Sequence, residues 1–248
     1  ASIIEGFEKT LSYKLSNLEG KARIKNIFGK NINVSNPVLD SLLSHSSDNL
    51  DQFIKDICLI RFGENAEGVI IEGRSKLPLT NYKSTFSELR EGEIVIGSNL
   101  AENMNIQISD RLFLQSFSKE ENIFNIPKIK PVMVSNIFST GLKEYDNTLV
   151  FMRLDDARKF FNYMPSEISG LIVNYKFFEN NEINVNYPYF IETWKDRHAL
   201  LYDWISIQRW PAYIMFGLIS LVGLVNLTAA ISMIIIEKKY QIGILYSQ

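Results

Sequence analysis

Residues Ala212 to Ile236 read AYIMFGLISLVGLVNLTAAISMIII, a stretch of 25 residues without a charge. An α-helix rises about 1.5 Å per residue, so the stretch exceeds the roughly 30 Å hydrocarbon thickness of a bilayer. Buried helices of soluble domains rarely run so long uncharged, and this one is expected to cross a membrane with some tilt. Glu237-Lys238-Lys239-Tyr240 follows at once, and paired lysines mark a cytoplasmic end. Trp204, Trp210 and Tyr213 precede or open the run and suit the opposite interface. Everything up to about Arg209 is therefore expected outside the cytoplasm. Such a placement needs an export signal, and the residues after Ala1 form neither a basic nor an apolar leader. A signal or membrane helix is expected to precede residue 1, and Gly243 to Gln248 is read as breaking off within an element.

With 26 basic and 28 acidic residues the net charge is −2, which gives no electrostatic footprint for nucleic acid. The single cysteine, Cys58, cannot form an internal disulfide, and its setting Ile57-Cys58-Leu59-Ile60 predicts a buried structural thiol. Of the two histidines, neither His45 nor His198 has a second at ligand spacing, so no metal site is expected. Ser44-His45-Ser46-Ser47-Asp48 holds triad residue types, but adjacent residues cannot converge as a triad must, and the segment reads as a polar turn. Asp155-Asp156 reads as the acidic first turn of a helix. A Gly-rich loop ending in Gly-Lys-Ser/Thr is lacking, and no catalytic residue is assigned.

Ile4, Phe7, Leu11, Leu15 and Leu18 recur at helical spacing, predicting a helix over 2–19 that stops near Gly20. Thr193 to Trp210 also reads as helix, and Trp210-Pro211 predicts a kink where it runs into the apolar stretch. These two are expected to stand as packed stalks above the membrane. Between them, strands are predicted at Ala22–Ile27, Ile54–Arg61, Gly68–Glu72, Glu93–Gly97, Arg111–Ser118, Lys130–Phe138, Thr148–Met152, Gly170–Phe177 and Tyr189–Glu192. Short helices are predicted at Pro37–Ser44, Asn99–Met104 and Leu154–Tyr163. Gly73, Pro78 and Asn81 mark a boundary and Pro165-Ser166 the return. The fold class is thus α+β with two lobes: 20–73 and 166–192 form the first, and 74–165 the second, inserted in it. Residues 1–19 form one stalk, 193–210 the other, 211–236 the membrane helix and 237–248 a cytoplasmic segment.

IIEGFEKTL at the start, GEIVIGSNLAENMNIQISDRLFL and SNIFSTGLKEYDNTLVFMRLDDARKFF together resemble the FtsX-like permeases of ABC transporters, especially the lipoprotein-releasing LolC/LolE type and its MacB relatives. Gly141, Glu144, Tyr145, Asp146, Val150, Phe151, Asp156 and Ala157 carry the nearest match, while Ser109-Asp110 stands where Gly-Asp is usual. The resemblance implies a MacB-like periplasmic domain, further membrane helices beyond residue 248, a cytoplasmic ABC ATPase partner and a second permease subunit, identical or not. It implies a non-enzymatic subunit without a cofactor, lodged in a bacterial inner membrane and concerned with lipoprotein release. It also implies that Gln115 to Pro131 is a hairpin that receives a periplasmic lipoprotein carrier, with Ile123, Phe124, Ile126 and Pro127 at its apolar tip. Glu237, Lys238, Lys239, Ile242 and Gly243 would form the segment that meets the ATPase. Inside the apolar run, Asn226 and Thr228 are expected to face another helix, with Gly223 permitting close approach. A MacB-like exporter or FtsX-like regulator is the nearer alternative, and a membrane-anchored sensor domain the more distant one.

Overall fold

The computed structural model describes residues 2–36, 50–75, 89–116, 127–173, 185–200, 203, 207 and 209–246. Contacts divide the chain into two units, Thr10–Arg197 and a second of Ala1–Lys9 with His198–Gln248. Helix α1, Ser2–Glu19, forms where the three-four spacing places it, with Leu15 and Leu18 buried. It stops at Gly20, whose φ of +81° is left-handed and open to glycine without a Cβ penalty.

Strands β1 (Ala22–Asn26), β2 (Ile32–Asn33), β3 (Leu50–Phe62), β4 (Asn65–Arg74) and β5 (Glu93–Gly97) lead to α2 (Ser98–Met104). Then come β6 (Arg111–Ser116), β7 (Lys128–Phe138), α3 (Lys143–Thr148), β8 (Leu149–Arg153) and α4 (Leu154–Phe160). The domain ends with β9 (Glu167–Ile168), β10 (Gly170–Val173), β11 (Tyr189–Thr193) and the single turn α5 (Trp194–Arg197), before α6 (Arg209–Tyr246).

Nine strands share one sheet in the order β11-β1-β10-β3-β4-β8-β5-β7-β6, and β6 pairs back onto β3 through Leu59↔Gln115, Ile60↔Leu114 and Arg61↔Phe113. That pairing closes β3-β4-β8-β5-β7-β6 into a ring, which leaves these six strands without a free edge. Alternation does the rest. Ile54, Cys58 and Ile60 of β3 turn inward with Val69 and Ile71 of β4, Ile94 and Ile96 of β5, and their partners from β6 to β8. Leu100 and Met104 of α2 and Ala157 and Phe160 of α4 complete that core. A second core forms around Ile24, Ile32, Leu171 and Val173, and a third packs Leu18 of α1 on Val95, Leu149 and Phe151 outside the ring. At 13 residues β3 serves both main cores, pairing with β10 at Leu50–Phe53 and with β6 at Leu59–Arg61. Cys58 is buried, and burial followed by the nearby Asp56 pushes its thiol up to about 12, an inert structural cysteine.

Several expectations change. The helix expected over Pro37–Ser44, the polar turn at Ser44–Asp48, and Pro78 and Asn81 lie outside the described residues. Helix α3 is new. Helix α4 ends at Phe160 rather than Tyr163, since Asn162 takes a left-handed φ of +56°. From Thr193 onward there is no uninterrupted helix: Thr193 and Asp196 cap the turn α5 reciprocally, and His198 sits in a turn rather than a helix. The helical span of α6, Arg209–Tyr246, runs through Pro211. Among the described residues α6 is the helix long and apolar enough to cross a membrane, over the 27 residues Tyr213–Lys239.

Ser109 occupies the α2–β6 turn at a φ of +78°, donating its N–H to the Val134 carbonyl at 2.8 Å while Asp110 accepts from the Gln107 N–H at 2.7 Å. A non-glycine residue held there costs about 1 kcal/mol. Ser109→Gly is therefore expected to raise stability by roughly 0.5–1 kcal/mol, or about 2 °C in the melting of the Thr10–Arg197 unit. The thermal exposure of Cys58 to a thiol dye would measure it, and an unchanged or lower midpoint would refute it.

Candidate functional site

Helix α1 carries no basic residue in its last turn, yet its final carbonyls meet three guanidinium groups delivered by other elements. Arg23 of β1 donates Nε to the Glu19 carbonyl at 2.7 Å, and Arg74 of β4 donates Nη2 to the Leu18 carbonyl at 2.6 Å. Arg197 of α5 donates Nη2 to the Gly20 carbonyl at 2.9 Å. These orphan carbonyls form the negative end of the helix dipole, which is where cations stabilise.

Between the first two arginines sits Glu72 of β4. Its carboxylate takes a two-pronged contact from Arg23, at 3.0 and 3.2 Å, and a second contact from Arg74. Arg23 is 0% exposed and Glu72 1%, so these charges are removed from water. Burial alone would raise the Glu72 carboxyl, but Arg23, Arg74 and Lys55 outweigh it and hold the group at about 2. Arg23 also stacks over Phe53 at 4.6 Å, and Arg74 over Phe151 at 5.3 Å, so both planes are fixed by aromatic rings.

A second tier extends the joint to the end of the domain. Arg197 donates Nε to the Glu19 carboxylate at 2.8 Å and Nη1 to the Glu192 carbonyl at 3.1 Å. Burial, and then Glu19 beside it, push the Tyr145 hydroxyl well above the usual phenol range, keeping it a proton donor to that carboxylate. The arrangement has no nucleophile, base and oxyanion site to perform a reaction. Its chemistry is mechanical: it fixes the last turn of α1 to β1, β4 and α5 by directional, charge-assisted bonds.

The other sequence-predicted sites fall elsewhere. Ile123, Phe124 and Ile126 lie outside the described residues, while Pro127 is half-buried just before β7. On either side of that segment β6 and β7 pair antiparallel, from Arg111↔Met133 to Ser116↔Lys128. The loop-side end of this stem is tied to α4 and the turn after it: Lys130 meets the buried Asp156 at 3.0 Å, and Lys128 reaches the Lys159 carbonyl at 2.5 Å and Asn162 at 2.7 Å. The outward face of the stem mixes exposed Phe113, Ile129 and Met133 with Arg111 and Gln115. Gly223, Asn226, Thr228, Glu237, Lys238 and Lys239 are exposed along α6, whose backbone also includes Ile242 and Gly243. Thr228 donates its hydroxyl to the Val225 carbonyl at 2.8 Å, so its polar group is satisfied within its own helix.

No family model matches the chain. It is 30% identical over 176 residues to the lipoprotein-releasing system transmembrane protein LolC of Buchnera aphidicola from Acyrthosiphon pisum, covering 68% of this chain and 44% of that one. The LolC of Buchnera aphidicola from Schizaphis graminum is 27% identical over 261 residues, which span 100% of this chain and 65% of the relative. This chain therefore spans about half to two thirds of the length of these relatives. Among solved structures, the extracellular domain of the noncanonic ABC-type transporter YknZ from Gram-positive bacteria aligns with a TM-score of 0.45 and 9% identity, over 69% of this chain and 98% of that domain. The chain belongs to the FtsX-like ABC transporter permeases, in the lipoprotein-releasing LolC/LolE type.

Proposed function

We propose that the chain is part of a non-enzymatic permease subunit that helps release lipoproteins from a bacterial inner membrane, driven by ATP hydrolysis in a separate cytoplasmic protein. The observation that carries this is the likeness to a LolC protein along the whole chain, apolar helix included. The uncharged span of α6 and the lysine pair at its end support a membrane crossing with Thr10–Arg197 on the periplasmic side. Residues 20–73 with 166–192, and the inserted 74–165, would act as the two lobes of that domain. Residues Glu237 to Gly243 would meet the ATPase, and a second permease subunit would pack against α6. The β6–β7 stem, with Phe113, Ile129 and Met133 exposed and with its apolar tip sequence, would receive a periplasmic lipoprotein carrier.

The test is affinity purification of the full-length protein from bacterial membranes in mild detergent. An ABC ATPase is expected to come with it in stoichiometric amount. Recovery of the permease alone, under conditions that preserve a known transporter of this family, would refute the assignment.

A further inference from the structure

We infer that Glu19 and Arg197 form a permanent strut, a positioning pair that makes the last turn of α1 and the first turn after β11 move as one body. These residues are 178 positions apart, yet each closes a helix: Glu19 is the last residue of α1 and Arg197 the last of α5. The β1–β11 ladder brings them close, ending at Ala22↔Thr193, and the Trp194 N–H donates to the Lys21 carbonyl at 3.0 Å. Side chains add to the connection between incoming and outgoing chain: Arg197 reaches Glu19 through Nε and Gly20 through Nη2, while its Nη1 holds the Glu192 carbonyl of its own segment.

Both side chains are nearly removed from water, at 8% and 6% exposed. Separating them would strand a buried charge on each side, so the pair is suited to staying closed under load rather than opening and shutting. An apolar pair of equal volume could be as stable, but apolar contact is non-directional and would allow one helix end to slide over the other. A guanidinium fork bound to a carboxylate and two carbonyls fixes position and angle together. The charged and titratable groups around the pair include Arg23 on β1, Lys55 on β3, Glu72 on β4, Glu192 on β11 with its partner Lys25, and Tyr145 on α3.

This inference rests on the permease reading for its purpose, but its mechanics can be tested apart from it. The variant is Arg197→Lys in the full-length protein, which keeps the charge while one ammonium cannot span all three acceptors. Arg197→Leu is the stronger companion, used if its Cys58 melting midpoint stays within about 3 °C of the parent. In hydrogen exchange, amides of residues 16–19 are expected to gain about tenfold in rate together with those of 194–197, because one strut protects both. In the transporter reconstituted with its ATPase, lipoprotein released per ATP is expected to fall severalfold while ATP hydrolysis continues. Faster exchange confined to 194–197, or unchanged release per ATP, would overturn the strut. If the parent binds no ATPase, the permease reading fails by itself and the exchange result still decides whether the two ends are linked.

Discussion

Glu72→Gln is expected to destabilise the Thr10–Arg197 unit by about 3–5 kcal/mol, a large share of what holds a domain of this size together. The amide has one acceptor where the carboxylate offers two, and its NH₂ would point at a guanidinium that also only donates. Arg23 and Arg74 would remain buried without the carboxylate they share, and water cannot reach them to compensate. A urea titration read by Cys58 labelling should show the midpoint falling by about 2 M at an ordinary slope for this size. A loss below about 1 kcal/mol would mean that the two arginines do not depend on Glu72. The companion change, Arg23→Met with Glu72→Leu and Arg74→Met, removes all three charges together. It is expected to cost less than Glu72→Gln alone, because no ion is left unpaired, although the caps on Leu18 and Glu19 are lost.

The same residue sets a pH dependence. Its carboxyl is held at about 2 in the folded chain against an ordinary 4.5, so on acidification the unfolded chain takes up the proton first. The stabilisation is therefore complete above about pH 5 and drains away as the pH falls toward 2. Its size, at 1.36 kcal/mol per pH unit, is about 3 kcal/mol, in keeping with the cost of removing the charge outright. In Glu72→Gln that part of the acid limb should vanish, leaving a shallower decline that belongs to the other carboxylates.

Neither result could have been anticipated from sequence pattern, and the reason is visible in β4. Along Ile70-Ile71-Glu72-Gly73-Arg74, Glu72 and Arg74 fall on the alternate face, where polar residues ordinarily meet water. Arg23, flanked by Ala22 and Ile24, reads the same way. What the pattern omits is that this face is covered: Ile70 shares it and packs against the cluster that includes Leu18 of α1. Opposite charges two residues apart on one strand, next to an apolar residue of the same face, were the available signal. The ring closure is hidden for a different cause, since a three-residue pairing of β3 with β6 leaves no mark on either strand alone. By contrast α1, β3 to β8 and α6 were legible because their own periodicity or length dictates them, and Gly20 ends α1 where its φ requires glycine. Helix α3 escaped because it has no apolar stripe and is organised by one buried carboxylate, that of Asp146.

That carboxylate makes Gly97→Ala the other change of large effect. Gly97 closes β5 with a φ of −72° and ψ of 151°, a conformation any residue adopts, so only space demands glycine there. A Cβ at Gly97 would lie 2.2 Å from the Asp146 carbonyl oxygen, 2.6 Å from its carbon and 2.7 Å from its Cα. Backbone has no rotamer by which to step aside. Nor can α3 withdraw, because Asp146 accepts from the Thr140 N–H at 2.7 Å, the Thr140 hydroxyl at 2.8 Å, the Gly141 N–H at 3.1 Å and Ser139 at 3.2 Å. Relief must come from breaking those bonds or from bending β5 away from β7 and β8 inside the ring. Either course is expected to cost about 3 kcal/mol or more, the upper end for overpacking. Gly68→Ala in β4 is the matched control, since a Cβ there meets nothing within 4 Å, and it should change stability by less than about 0.5 kcal/mol. Equal melting midpoints for the two variants would mean that α3 can move off the strand. The buried Asp146 would then be a local tie of the 139–142 loop rather than the pin that seats α3 against the ring.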